Sequence, residues 1–141
     1  MPYFSRACDI RVGVIGFGAA YSMGHQHLEW TRKVGMKSVA VADPDTNRLE
    51  VAAREFPGIE CYRSVSELLR CSDTNLLVII TPHNTHAKIV MQCLDAKVGV
   101  VCEKPLAITS KEIRAMLALS KKRKVMLSTF HNRRWDSDFL L

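Results

Sequence analysis

The sequence predicts an α/β fold in which six parallel strands form one doubly wound sheet between two layers of helices, three layers in all. Short apolar runs alternate with amphipathic helical stretches from the beginning of the chain to its end. A glycine, a proline or a polar cluster stops each run, as expected for buried strands. Repeated β-α units of this kind require a parallel sheet, and its expected strand order is 3-2-1-4-5-6.

The six predicted strands are apolar runs followed by turn residues. The run at residues 76–80 is the most apolar, so we expect it near the centre of the sheet, where helices cover both faces. In chain order the strands are residues 10–15, 38–42, 60–62, 76–80, 98–102 and 125–130.

The predicted helices between these strands are marked by capping residues. Asp45 or Thr46 can cap the second helix, and Pro57-Gly58 stops it. Two capping boxes, in which a hydroxyl side chain precedes a glutamate by three residues, open helices at Ser64 and Thr109. The helices after the first and fourth strands begin near Gly24 and at Asn84 or Thr85.

Composition and charge are those of a globular domain, with 48% hydrophobic and 24% charged residues. No apolar run approaches the ~20 residues that span a bilayer, and no signal-peptide core follows the N-terminus, so we expect a cytoplasmic protein without membrane contact. The net charge of +6 is densest at residues 121–124. Four cations there suit the carbonyl end of a helix, and no aromatic residues interleave to stack bases, so nucleic-acid binding is not expected.

The cysteines and histidines do not predict a metal or redox site. The five cysteines include no CxxC pair, and we interpret them as free thiols that mostly fill the core. His25 and His27 are two residues apart and face different directions on a helix. His83 and His86 lie across a turn, with no carboxylate or cysteine to complete a set of ligands.

A glycine-rich turn, Gly16-Phe17-Gly18, directly follows the first strand. Its first glycine permits a tight turn, and its second lets backbone amides approach a pyrophosphate at the start of the next helix. The third position of the usual G-x-G-x-x-G spacing falls on Tyr21, but Gly24 could take that role if the turn is longer. The turn predicts a Rossmann dinucleotide site; a tight turn without a ligand is the alternative.

Asp43 ends the second strand, 27 residues after Gly16, or about 24 without the three extra residues of the turn. The usual separation in dinucleotide-binding folds is about 20 residues. A carboxylate there accepts hydrogen bonds from the adenosine ribose and repels a 2′-phosphate, so the sequence predicts NAD rather than NADP. Arg48 could still tolerate a phosphate, and Asp43-Pro44-Asp45 could instead be only a turn and a helix cap.

Three polar segments follow the fourth, fifth and sixth strands, at the edge where a doubly wound sheet binds ligands. They are residues 81–86, 103–105 and 131–134. Lys104, beside a carboxylate and before a proline, could polarise a substrate oxygen or relay its proton, and Glu103 could bond the nicotinamide ribose. A solvated Glu-Lys pair on a surface loop is the alternative.

Four motifs together resemble the glucose–fructose oxidoreductase / inositol dehydrogenase (Gfo/Idh/MocA) family. The resemblance covers essentially the whole chain, and Glu-Lys-Pro is its most specific element. It implies the cofactor-binding domain of an NAD(P)-dependent oxidoreductase that moves hydride between nicotinamide and a carbinol carbon of a sugar or polyol. The motifs are the Gly-x-Gly turn, Thr81-Pro82-x-x-x-His86, Glu103-Lys104-Pro105 and Phe130-x-x-Arg133-Arg134-Trp135.

The resemblance also implies roles for individual residues, with Lys104 as the catalytic one. Gly16, Gly18 and Gly24 would hold the pyrophosphate, and Asp43 the adenosine ribose. The nicotinamide side would be lined by Thr81, Pro82, Asn84 and His86, with Glu103 and Lys104 at the nicotinamide ribose and substrate, and Arg133, Arg134 and Trp135 at the floor of the crevice. Phe17 and Arg48 complete the predicted cofactor contacts.

Members of that family carry a second α/β domain that supplies an Asp-x-x-x-His catalytic pair and the usual oligomer interface, and nothing in this sequence corresponds to it. We expect residues 1–141 to be a single dinucleotide-binding domain, truncated at residues 139–141. Such a domain should turn over little or nothing alone and should self-associate weakly through an exposed apolar edge. The alternative functions are a non-catalytic NAD-binding sensor or interaction module and a methyltransferase-like binder of adenosylmethionine.

Overall fold

One parallel sheet organises the protein, whose computed structural model describes residues 5–18 and 23–140. The strand order is β3-β2-β1-β4-β5-β6, and every neighbouring pair is parallel, which confirms the predicted Rossmann topology. The strands are β1 (Arg11–Ile15), β2 (Lys37–Ala42), β3 (Glu60–Tyr62), β4 (Leu76–Ile79), β5 (Gly99–Cys102) and β6 (Leu127–Thr129).

Helices cover both faces of the sheet. Within the described residues they are α1 (Met23–Lys33), α2 (Thr46–Glu55), α3 (Val65–Cys71), α4 (His86–Asp95), α5 (Ser110–Arg123) and α6 (Ser137–Leu140). Helices α3, α4 and α5 share one buried cluster of apolar side chains, and α1 and α2 share the other.

Successive residues of the central strands point into alternate clusters. On β4, Leu77 and Ile79 pack with α3, α4 and α5, whereas Leu76 and Val78 pack with α1 and α2. This follows from the two-residue period of a strand. All four β4 residues are buried, which agrees with the predicted central position of the most apolar run.

Side chains at the helix ends explain where the elements begin and end. Asp45 caps α2, and Thr109 and Glu112 form both bonds of the predicted capping box at α5. At α3 the predicted box is half-formed, because the Glu67 carboxylate accepts from the Arg63 amide and not from that of Ser64.

Strand β6 is shorter than predicted because Val125, its first predicted residue, is hydrogen-bonded to the end of α5. The Val125 amide donates to the Ser120 carbonyl, and the Ser120 hydroxyl donates to the Val125 carbonyl. Lys124 adopts a left-handed conformation at the helix end. These bonds occupy backbone groups that a longer strand would need.

The five cysteines divide into two buried and three exposed thiols. Cys93 and Cys102 are buried, but Cys8, Cys61 and Cys71 are exposed, so the expectation that they mostly fill the core is wrong. Cys61 lies on β3, which forms an edge of the sheet, and Cys71 lies at the end of α3. Burial raises the pKa of both core thiols to about 12.

We expect a thiol reagent at pH 8 to label the native protein at Cys8 and Cys71 first and at Cys61 more slowly. Burial raises the pKa of the Cys61 thiol as well, and the thiolate is the reactive form. Cys93 and Cys102 should react only in denaturant. Mass spectrometry of the labelled chain measures the order; rapid labelling of either core thiol in native buffer would contradict the packing.

Among the described residues, no helix is both long and apolar enough to cross a membrane. Large apolar side chains are exposed near the C-terminal end of the described chain, Trp135 and Leu140 among them. The weak self-association stays a prediction.

Candidate functional site

The turn after β1 requires glycine at two positions. Gly16 and Gly18 have φ angles of +86° and +76°, in the left-handed region that favours glycine. A Cβ on Gly16 would lie 3.0 Å from both the Ile80 carbonyl oxygen and the Thr81 Cγ2 atom. The turn therefore packs directly against the segment that follows β4.

Gly24 allows helix α1 to pack against this turn. A Cβ on Gly24 would lie 2.4 Å from the Phe17 carbonyl oxygen and 2.8 Å from the Phe17 Cα atom. Both atoms are backbone, so no side-chain rotation could relieve the contact. This close approach is the packing role of the third glycine in dinucleotide-binding turns. Tyr21, at the usual third position, lies outside the described residues.

Asp43 ties the end of β2 to the glycine turn. Its Oδ2 atom accepts a hydrogen bond from the Phe17 amide at 2.9 Å, and its Oδ1 atom accepts one from the Asp45 amide at 2.9 Å. The side chain is 1% exposed, and Arg48 Nη1 lies 3.5 Å from Oδ2. The carboxylate is thus bonded inside the protein and is more than the simple turn or cap considered from the sequence.

Phe17 contributes its backbone and not its ring to this arrangement. The ring is buried and packs edge-to-face against Phe56, with 6.5 Å between the ring centroids. Its amide is bonded to Asp43, and the Gly16 amide donates to the Ala42 carbonyl at 2.8 Å. The first two amides of the turn therefore stabilise the turn itself.

A cleft of about 440 Å³ opens beside the glycine turn, at the carboxyl ends of the strands. Six of the predicted contacts line it: Gly16, Gly18, Asp43, Arg48, Thr81 and Pro82. Thr85, from the predicted polar segment 81–86, also lines it. Residues that the sequence analysis missed line it as well, among them Arg63, Ser64, Val65, Ile80 and Ile89. Residues 63–65 follow β3, so the rule that placed the later loops at this edge could have found them.

His86 departs from the expectation that it lines the nicotinamide side. The side chain is fully buried, with Nε2 2.9 Å from the Thr81 carbonyl oxygen and Nδ1 2.8 Å from the Pro105 carbonyl oxygen. It thereby connects the loops that follow β4 and β5. Its position under the loops leaves it no surface for a cofactor.

Three other predicted contacts also lie away from the cleft. Asn84 is exposed and does not line it. Arg133 pairs with Asp136, and Arg134 lies over the ring of Trp135, beside a separate cavity next to β6. Strand β6 is at the edge of the sheet, two strands beyond β4, so the expected floor of the crevice is not part of this cleft.

Glu103 and Lys104 follow β5 as predicted, but the glutamate is not solvated. Its side chain is 13% exposed, and its Oε1 atom lies 3.1 Å from His27 Nε2 on α1. Glu103 Oε2 accepts from the Lys104 amide at 3.2 Å and lies 3.9 Å from Lys104 Nζ. The Lys104 side chain is half exposed. The alternative of a solvated surface pair therefore does not hold for Glu103.

Comparison with known proteins gives a consistent match. A family model for oxidoreductases with an NAD-binding Rossmann fold, Gfo/Idh/MocA, matches residues 10–131. The chain is 32% identical over 131 residues to scyllo-inositol 2-dehydrogenase (NADP(+)) IolW of Bacillus subtilis, covering 93% of this chain and 36% of that protein. It is 38% identical over 117 residues to inositol 2-dehydrogenase of Rubrobacter xylanophilus, covering 80% and 33%.

A solved structure agrees with these matches. The crystal structure of an NAD-binding protein from Listeria innocua superposes with a TM-score of 0.85 at 29% sequence identity, covering 93% of this chain and 38% of that one. The chain spans about a third of the length of the curated relatives it matches.

Proposed function

The chain belongs to the Gfo/Idh/MocA oxidoreductase family as an NAD(P)-binding Rossmann domain, and from this we propose that it serves hydride transfer between nicotinamide and a carbinol carbon of a sugar or polyol. The observation that carries the proposal is the glycine turn, which borders a cleft at the carboxyl ends of the strands. Relatives named as inositol dehydrogenases support the polyol class.

The diphosphate would lie against Gly18 and the start of α1. The amides of Gly16 and Phe17 already donate hydrogen bonds within the protein, so they are not available for phosphate. Backbone N–H groups at the start of a helix suit an anion, and Gly18 leaves room for its approach. Residues 19–22, between Gly18 and α1 in the sequence, lie outside the described residues.

The adenosine half would occupy the cleft. Ile80, Ile89 and Val65 would provide apolar walls for the adenine base. The Asp43 carboxylate, directly after β2, lines the same cleft. We propose NAD as the preferred cofactor, because the Asp43 carboxylate disfavours a 2′-phosphate. Arg48 and Arg63 also line the cleft, so NADP would bind more weakly but would not be excluded.

Glu103 and Lys104 would serve the nicotinamide side. The bound nicotinamide supplies the hydride acceptor or donor. Lys104, whose side chain is half exposed, would donate a hydrogen bond to the reacting substrate oxygen. The general base of the family is a histidine of its second domain, so we propose that this domain alone turns over little or nothing.

Titration with NADH, NADPH and adenosylmethionine tests the proposal. We expect NADH to bind best and adenosylmethionine not to bind. Gly18→Leu should lower the affinity for NADH by about a hundredfold, or ~2.7 kcal/mol, because its side chain blocks the backbone from the diphosphate. Nicotinamide fluorescence measures the binding of NADH and NADPH, and competition with NADH measures that of adenosylmethionine.

Gly58→Leu is the matched control for that variant. Gly58 has a φ of +86°, and a Cβ added to it would have no neighbouring atom within 4 Å, so leucine there introduces similar backbone strain away from the cleft. Its affinity for NADH should equal that of the wild type. Equal NADH affinities of Gly18→Leu and Gly58→Leu would show that the glycine turn is not part of the cofactor site. Preferential binding of adenosylmethionine would overturn the proposed function.

A further inference from the structure

We propose that His27 is a positioning residue that holds the Glu103 carboxylate, and through it Lys104, in place at the nicotinamide end of the site. This inference rests on the proposed function and deepens it. His27 has no part in the cofactor contacts predicted from the sequence. It lies on α1, and Glu103 follows β5, 76 residues later in the chain.

The contact between the two side chains is shielded from water. His27 Nε2 and Glu103 Oε1 are 3.1 Å apart, and the side chains are 6% and 13% exposed. A hydrogen bond in such an environment is stronger than one at the surface, and a buried carboxylate oxygen left without a donor is costly. His27 therefore has a marked influence on the orientation of Glu103.

Aromatic rings from two parts of the fold enclose the imidazole. Its centroid lies 5.2 Å from that of Trp30 on α1 and 4.7 Å from that of Phe130, which follows β6. Trp30 and Phe130 stack on each other with 5.9 Å between centroids. The edge-to-face contacts of His27 with both rings restrict rotation of the imidazole and exclude water from it.

The surroundings keep the imidazole neutral. Burial lowers the pKa of His27, and the Glu103 carboxylate opposes that shift. A neutral ring that donates from Nε2 to a carboxylate oxygen has a defined tautomer. The histidine thus acts as a fixed donor and not as a second cation beside Lys104.

The two oxygens of Glu103 have different partners. Oε1 faces His27, and Oε2 accepts from the Lys104 amide and lies 3.9 Å from Lys104 Nζ. Without the histidine donor, the carboxylate would be free to turn, and its contacts with Lys104 would change. His27 on α1 would in this way set the geometry of Glu103 and Lys104, the two residues assigned to the nicotinamide ribose and the substrate.

The test compares NADH with ADP, which lacks both the nicotinamide and the ribose that carries it. His27→Leu should weaken NADH binding by about tenfold, the equivalent of one lost hydrogen bond at ~1.4 kcal/mol, and should leave the affinity for ADP unchanged. His27→Gln keeps an amide donor in place of Nε2 and should restore NADH affinity to within about threefold of the wild type. Gln26→Leu, at an exposed neighbouring position of α1, is the control.

A double-mutant cycle separates action through Glu103 from a general effect on stability. In a Glu103→Ala background, His27→Leu should cause no further loss of NADH affinity. Equal loss of NADH and ADP binding, the absence of rescue by glutamine, or additive losses in the cycle would overturn the inference alone. A wild-type chain that binds neither probe would instead overturn the proposed function, and this inference with it.

Discussion

Gly24→Ala is expected to lower the free energy of unfolding by about 3 kcal/mol and to weaken dinucleotide binding with it. The added Cβ would lie 2.4 Å from the Phe17 carbonyl oxygen and 2.8 Å from the Phe17 Cα atom. Overpacking of a core usually costs about 1–3 kcal/mol. Here the colliding atoms belong to the backbone, so α1 must move away from the glycine turn, and we expect the upper end of that range.

The sign of this change is the informative part of the experiment. In an ordinary helix, replacing glycine with alanine stabilises the protein by about 1 kcal/mol. Urea denaturation of Gly24→Ala and the wild type measures the difference. A variant at least as stable as the wild type would contradict the close packing of α1 on the turn.

Gly58→Ala separates steric collision from backbone strain. Gly58 has a φ of +86°, and a Cβ there meets nothing within 4 Å. Alanine should therefore cost only about 1–2 kcal/mol, the strain of a left-handed residue. It should leave NADH binding unchanged, whereas Gly24→Ala displaces the turn that holds the diphosphate.

Asp43→Asn is expected to lower the free energy of unfolding by about 2 kcal/mol and to narrow the preference for NADH over NADPH. The two carboxylate oxygens of Asp43 accept from the Phe17 and Asp45 amides. In asparagine, an NH₂ group replaces one oxygen and faces an N–H donor. A buried donor without an acceptor costs about 1–3 kcal/mol.

The effect on cofactor choice has a separate cause, the loss of negative charge. Without that charge, the 2′-phosphate of NADPH meets less repulsion, and Arg48 and Arg63 remain in the cleft. NADH affinity should fall more than NADPH affinity. Titration of both cofactors, together with thermal denaturation, measures the two effects independently.

Asp45→Asn is the matched control, because it changes the neighbouring aspartate of the same loop. Asp45 caps α2 by accepting from the Asn47 amide, and asparagine is an equally good N-cap. Stability and the cofactor ratio should stay close to wild type. An unchanged cofactor ratio in Asp43→Asn would remove Asp43 from the cofactor site, and unchanged stability would contradict its role in holding the turn.

Local patterns in the sequence were sufficient for the architecture. The alternation of apolar runs with helical stretches predicted the six strands and their order, and the three capping residues Asp45, Ser64 and Thr109 marked helix beginnings. Gly24 was identified for the role of the third glycine despite its unusual position. These features depend on residues close together in the chain and on general rules of parallel sheets, so they can be deduced from spacing and periodicity.

The identity of contacts between distant segments was decided by the tertiary structure. The sequence correctly placed Asp43, His86 and Glu103 after the carboxyl ends of their strands. It could not show that Asp43 is bonded to the glycine turn or that His86 lies beneath two loops. Nor could it pair Glu103 with His27 across 76 residues. Spacing predicts at which end of a strand a side chain lies. Its partners and its exposure depend on how loops from several strands pack together, and that is a property of the assembled fold.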